Sequence, residues 1–235
     1  IEDNVARAIP PTEEKSGFIA FHGSGQDFDE FKLDKVGTGQ GQRAFAYGIN
    51  FTDRQDIANF YKNMVGTGKT TSKTYVVSLP IKNEQLIDYS LPLSKQSKKV
   101  KEVLEPYYKE YSLTKDTKPL GEGSIRFALV QGLVKKEAIT GEIKDKKVKD
   151  QFNAFLKSLE NAGVKPSPEQ MEALIREINT ITPERLAKEL SEKGVKGVKY
   201  KTSEMSNIVK GGKLKVGDAN NYVIFDTKLI NILAK

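Results

Sequence analysis

The apolar, β-type runs of this chain lie toward its two ends. "GFIAFHG" (17–23), "GINFTD" (48–53) and "KTYVVSLPI" (73–81) come early, while "VKGVKY" (195–200), "NNYVIFD" (220–226) and "LINIL" (229–233) come late. Between them the apolar residues recur at helical spacing. A sheet drawn from both ends must be completed by the C-terminal strands, with helices inserted in the middle. This predicts an α+β domain rather than a repeating strand–helix alternation.

The punctuation agrees with that outline. "DRQDIANFYKNMV" (53–65) reads as a helix started by Thr52 or Asp53, and "EQLIDYS" (84–90) as a short strand or turn. "SKQSKKVKEVLEPYYKEY" (94–111) reads as a helix capped by Ser94 or Ser97 and bent or broken at Pro106. "GEGSIRFALVQGLVKKEA" (121–138) places Ile125, Leu129 and Leu133 on one helical face, and Gly163 ends a helix over 149–163. Ser167, with Pro168 at the first turn and Gln170 behind it, starts another, and Thr182 repeats the signal. The loop after residue 23 carries Phe28 and Phe31, which are expected to pin it to the body.

Composition removes whole classes of chemistry. The 235 residues contain no Cys and one His. Disulfides, thiolate metal sites, a Cys nucleophile and multi-His metal centres are excluded together, and the lack of Cys fits a cytosolic setting. No apolar run approaches the ~20 residues of a membrane span, so no membrane role is expected. No signal-peptide pattern is present and the first residue is not Met, which fits a piece of a larger polypeptide. The net charge is +7. Its lysines fall in mixed runs that suit solvated helix faces, or an anionic partner such as nucleic acid or a nucleotide.

Two glycine-rich stretches fail as nucleotide motifs. "GTGKTT" (66–71) would need Gly at position 63, which is Asn63, and it follows a helix where a phosphate loop follows a strand. "GTGQG" (37–41) lacks the strand–turn–helix context of a dinucleotide fingerprint. The lone His22 is better placed. It ends a strand just before Gly23 and Ser24, where a side chain can face a cleft and the glycine backbone stays approachable.

Taken in order, these blocks carry a resemblance. "FHGSGQDFDEFKLDKVGTGQGQRAFAYGINFTDRQDIANFY" resembles the N-terminal half of the ADP-ribosyltransferase-like domains of phage and prophage proteins. That family reads His-Gly, a Phe-Asp-x-Phe stretch, Gly-Thr-Gly-x-Gly, and then Gly-Leu-Tyr-Phe before a helix. "LIDYSLPLSKQSKKVKEVL", "GVKGVKY" and "NYVIFD" resemble its later blocks in the same order. More distantly, "HGS", "GINF" and "NNYVIFD" are similar to the three signature strands of poly(ADP-ribose) polymerases and diphtheria-type toxins.

The resemblance implies an N-terminal arm over 1–16 and a transferase-like domain over 17–235. The domain would be a split β-sheet that grips NAD between two small sheets, with a helical insertion over about 137–192. His22 matches the His that bonds the adenosine-side ribose, and Gly23 the Gly whose backbone holds the nicotinamide carboxamide. Ser24 and Phe51 flank those positions as further binding residues. Asn50 stands where relatives carry the Tyr that stacks on nicotinamide, and Asn221 where the polymerases carry Glu. Gln40 is assigned a polar contact and Arg43 a pyrophosphate contact, although Arg43 equally suits a plain surface position.

Phe45 and Tyr47 could supply the missing ring or simply pack in the core, and Asp218 or Glu204 could supply a carboxylate. An amide at 221 lacks the charge that stabilises an oxocarbenium-like ribose, a loss of roughly 10²–10³ in rate. The missing ring at 50 weakens binding by about 0.5–1.5 kcal/mol. The implied activity is NAD-dependent mono-ADP-ribosylation of a host protein or nucleic acid. It would act in the host cytoplasm, from a phage polypeptide that a virion could carry. The alternatives are an inactive NAD- or partner-binding module of the same fold, and an NAD glycohydrolase.

Overall fold

A computed structural model describes residues 17–37, 44–65, 71–111, 113, 118–134, 143, 145–202 and 219–235. Its strands are β1 (Phe18–Ser24), β2 (Ile49–Thr52), β3 (Lys73–Leu79), β4 (Leu86–Asp88), β5 (Leu133–Val134), β6 (Thr180–Ile181), β7 (Gly197–Lys201), β8 (Asn220–Ile224) and β9 (Asn231–Ala234). Seven of them form one mixed sheet in the order β4-β7-β8-β2-β1-β3-β9, and β5 pairs with β6 separately. Only the β4–β7 pair is parallel among the described ladders. The α+β expectation holds, and the C-terminal β8 closes the sheet between β2 and β7.

Among the described residues six α-helices accompany the sheet: α1 (Gln55–Val65), α2 (Lys98–Glu110), α3 (Ser124–Gln131), α4 (Lys146–Asn161), α5 (Pro168–Ile178) and α6 (Pro183–Glu192). Period-2 alternation gives the sheet two working faces. On one face Ile87, Val198 and Val223 pack under Leu104 of α2, Leu129 of α3 and Leu186 of α6. On the other, Ala20, Phe51, Tyr75, Tyr222 and Ile224 pack with Phe31 from the loop after β1. Phe28 stacks on Tyr75 with ring centroids 4.3 Å apart, so both loop phenylalanines pin that loop as their spacing suggested.

The helical middle is uneven. α4 buries Phe152 alone and α5 buries nothing, whereas α6 places Leu186, Ala187 and Leu190 in the core. Ser167 and Thr182 cap α5 and α6 as predicted, each hydroxyl accepting a backbone N–H. Ser97 does the same for α2.

Three local expectations are corrected. α2 runs unbroken through Pro106, which is exposed, because the buried Val103, Leu104, Tyr107 and Tyr108 hold the helix on either side of it. The missing N–H therefore falls on the solvent side, where water can satisfy the freed carbonyl. α3 stops at Gln131, and Leu133 belongs to β5 rather than to a helical face. Gly132 turns the chain at φ +94°, and a methyl group there would come within 2.5 Å of the Ile181 carbonyl oxygen. Finally, neither Thr52 nor Asp53 is the cap of α1. The helix starts at Gln55, and the Asp53 carboxylate is taken by Asn220 at the start of β8.

The β1–β2 seam is the sheet's weak point. β1 pairs with β3 over seven residues, Phe18↔Leu79 to Ser24↔Lys73, yet meets β2 at the single pair Phe21↔Thr52. Beyond that pair His22, Gly23 and Ser24 have no register partner on β2. No helix among the described residues is long and apolar enough to cross a membrane.

Candidate functional site

His22 sits where the seam opens. It is partly buried, and its ring packs edge-on to Phe31 at 5.1 Å and tilted to Phe51 at 5.7 Å and Tyr75 at 6.3 Å. Its Nδ1 lies 2.7 Å from the Asn50 carbonyl oxygen. A carbonyl only accepts, so Nδ1 carries the proton and Nε2 of the neutral ring keeps its lone pair. Nε2 has no protein partner among the described residues. Burial pushes the imidazole below its ordinary value, and donation to Asn50 partly opposes that shift. The site therefore holds a neutral, oriented acceptor.

This shift makes a testable statement about pH. A depressed folded-state pKa means the unfolded chain takes the proton first as pH falls. The His22 contribution is complete above pH 6.5 and declines as pH drops from 6.5 toward the folded value. His22 is the only histidine, and the shifted carboxylates Asp27, Asp56 and Asp88 lie below 3.8, so the window from 6.5 to about 5 isolates it. Melting temperature is expected to fall over that window in the parent chain and to stay flat in His22→Gln.

The neighbouring predicted residues divide by role. Gly23 packs its Cα against the backbone of α1 at Ala58 and Lys62, leaving its β2-side edge at the seam. Ser24 is spent locally, its hydroxyl accepting from Gln26 N at 3.0 Å. Phe51 is core and reaches the site only through its contact with the His22 ring. Asn50 alternates away from Ile49 and Phe51, onto the face of its register partner Val223. It is partly buried, and its side-chain amide has no hydrogen-bond partner among the described residues.

Asn221 lies on that same face, opposite Thr52 on β2 and Tyr200 on β7. It is 3% exposed. Its Nδ2 donates to Thr202 Oγ1 at 2.9 Å, and that hydroxyl donates on to Ala219 O at 3.1 Å. Its Oδ1 has no partner among the described residues. Thr52, Thr202 and Asn221 thus form a buried polar strip beside the seam. Asp53 clamps its end, accepting from Asn220 N at 3.1 Å and from Asn220 Nδ2 at 2.8 Å.

Comparisons with family models, with curated proteins and with solved structures found no match.

The proposed substitute rings are both committed. Phe45 is stacked on Tyr200 at 3.8 Å, its other side is covered by the Arg126 guanidinium at 4.5 Å, and its carbonyl accepts from the Tyr89 hydroxyl. Tyr47 packs against the helical core and donates its hydroxyl to Leu33 O at 3.0 Å. Phe45 is therefore a core residue rather than a free stacking surface. Gln40 and Arg43 lie outside the described residues, as do Glu204, Asp218, the 1–16 arm and most of both glycine-rich stretches.

Sequence reading missed Arg126, Thr202 and the Asp53–Asn220 clamp. Arg126 donates to Ala44 O and Gly121 O and lines an open cavity of about 400 Å³ with Glu122, Phe127 and Gln131. That cavity borders the Tyr200–Phe45–Arg126 stack and does not include His22, Asn50 or Asn221. Among the described residues no group of three or more acidic or imidazole side chains could hold a metal ion.

Proposed function

We propose that the chain is an NAD-dependent ADP-ribosyltransferase that binds NAD at the β1–β2 seam and transfers ADP-ribose to a macromolecule. The observation that carries the reading is the seam itself, where two central strands part after one register pair and His22 bridges them through Nδ1. In this reading the ligand threads the seam: His22 Nε2 meets it from the Phe31–Phe51–Tyr75 face, the Gly23 edge without a register partner on β2 lines the gap, and the Asn50 amide and Asn221 Oδ1, unpartnered among the described residues, meet it from the opposite, Val223 face. These are neutral acceptors and donors suited to ribose hydroxyls and a carboxamide.

In the proposed reaction the bond between the ribose carbon and the nicotinamide nitrogen breaks, and its electron pair leaves with neutral nicotinamide. The acceptor nucleophile adds to that carbon and releases its proton to water. His22 Nε2 holds the ribose hydroxyl without taking charge. Asn221 Oδ1 offers a dipole to the ribose as it becomes cationic, a weaker stabiliser than a carboxylate by roughly 10²–10³ in rate.

One observation favours a non-catalytic binding module instead. The Asn221 Nδ2 donates to Thr202 Oγ1 within a buried strip, as a structural tie would. Incubation with NAD labelled in the adenylate moiety, in the presence of cell extract, separates the readings. Label in macromolecules together with released nicotinamide is expected for transfer. Release without label indicates hydrolysis to free ADP-ribose, saturable binding without release indicates a module, and absence of binding overturns the NAD assignment.

A further inference from the structure

Arg126 is held in a fixed plane on α3 while its charge stays unpaired. Nε and Nη2 donate to Ala44 O at 3.3 and 3.2 Å, and Nη1 donates to Gly121 O at 2.9 Å. One face of the guanidinium lies over the Phe45 ring at 4.5 Å, and Phe45 stacks in turn on Tyr200. Its acceptors are neutral carbonyls, and no carboxylate pairs with it among the described residues. Arg126 lines the cavity of about 400 Å³ and Phe45 does not, so the guanidinium face away from Phe45 is turned to that space.

The other walls narrow what fits. Phe127 is 63% exposed and its ring has no aromatic contact among the described residues. The Glu122 carboxylate and the Gln131 amide line the same space, and neither has a side-chain partner among the described residues. A simple anion drawn to Arg126 would also meet Glu122, and the two formal charges offset each other. An uncharged planar ring meets no such conflict. Nucleobases stack on guanidinium planes and on aromatic side chains. Beside a carboxylate the ring edge must offer N–H donors, and an adjacent pair serves best. Guanine has that pair, N1–H beside its exocyclic amine, whereas adenine sets its amine beside a bare acceptor nitrogen. The volume lies within the range of small-ligand sites.

We propose that the cavity beside α3 is a nucleobase site that selects guanine: Arg126 and Phe127 stack the ring, and Glu122 accepts from its N1–H and amine. The site is separate from the seam and does not rest on the NAD reading. The base comes either as a free nucleoside or as part of a single strand.

Equilibrium dialysis of the full chain tests it with guanosine, adenosine and a short single strand carrying one guanine among thymines. The parent is expected to prefer guanosine to adenosine by about tenfold, the value of one unreturned hydrogen bond. Phe127→Ala is expected to weaken guanosine by at least about fivefold through lost stacking. Glu122→Gln is expected to bring the two nucleosides within about threefold. Both side chains are exposed, and melting curves verify that the variants fold as the parent does. A strand bound more tightly than guanosine identifies a base within nucleic acid as the ligand, and one bound equally or less tightly identifies the free nucleoside. The assignment is overturned if the parent does not bind guanosine, if equimolar NAD displaces it, or if both variants bind it as the parent does and keep its preference over adenosine.

Discussion

Replacing His22 by alanine is expected to lower NAD affinity at least a hundredfold and to destabilise the fold by about 2–3 kcal/mol. Two losses combine at the ligand. The Nε2 lone pair disappears, and the Asn50 carbonyl loses the donor that holds β2 across the seam. The stability term is separate. Removing an imidazole from among Phe31, Phe51 and Tyr75 leaves a void that these rings, already packed on one another, fill only in part. Denaturant titration measures the second effect and calorimetry the first. His22→Gln divides them further, since a side-chain amide can still donate to Asn50 while offering a differently placed acceptor. A folded His22→Ala chain that binds NAD within threefold of the parent would remove the imidazole from the proposed site.

Gly23→Ala is the severest single-methyl change expected at the cleft. The new carbon would overlap the Ala58 carbonyl oxygen and come within 2.6 Å of the Lys62 nitrogen. Both belong to the backbone of α1, so no side-chain rotation relieves the overlap and the helix must lift from β1. Overpacking of this kind costs about 3 kcal/mol or more. Chemical denaturation should show that loss, together with collapse of NAD binding as the seam shifts. Gly163→Ala is the control, because nothing lies within 4 Å of it and only its φ of +71° opposes the change. A loss of about 1 kcal/mol is expected there. Equal effects at the two glycines would contradict the close approach of α1 to β1.

What the sequence made legible follows from the range of the forces involved. Helix starts at Ser97, Ser167 and Thr182 were readable because a cap is decided by atoms three residues apart. The strands at 18–24 and 220–224 were readable from β-branched and aromatic density, but His22 does not end its strand as its glycine suggested, because Gly23 and Ser24 continue β1 against β3. Asp53 misled because its partner, Asn220, is remote in sequence, and the helix begins at Gln55, one residue too late for Asp53 to stand at the cap position. Leu133 misled because helical periodicity continued past Gly132, whose backbone conformation decided the turn. Phe45 looked like a spare ring beside the site. Only the fold brings Tyr200 and Arg126 onto its two faces. The commitment of Asn221 to Thr202 was likewise hidden, since it depends on how β7 meets β8.

The central place of β8 also governs how the molecule comes into being. Asp53 and Asn220 bond across 167 positions of chain, and β2 has no other neighbour on that side. While the polypeptide is being synthesised, β1, β2 and β3 can pair early, but β2 keeps an open edge until residues 220–224 emerge. Closing so long a loop before its contacts repay the entropy is slow. The nascent chain therefore spends its longest interval with the future cleft half-walled and an aggregation-competent strand exposed. The same insertion of β8 that buries this edge brings Asn221 beside Thr52 and completes the proposed site, so the closing of the sheet and release from that hazard arrive in one step.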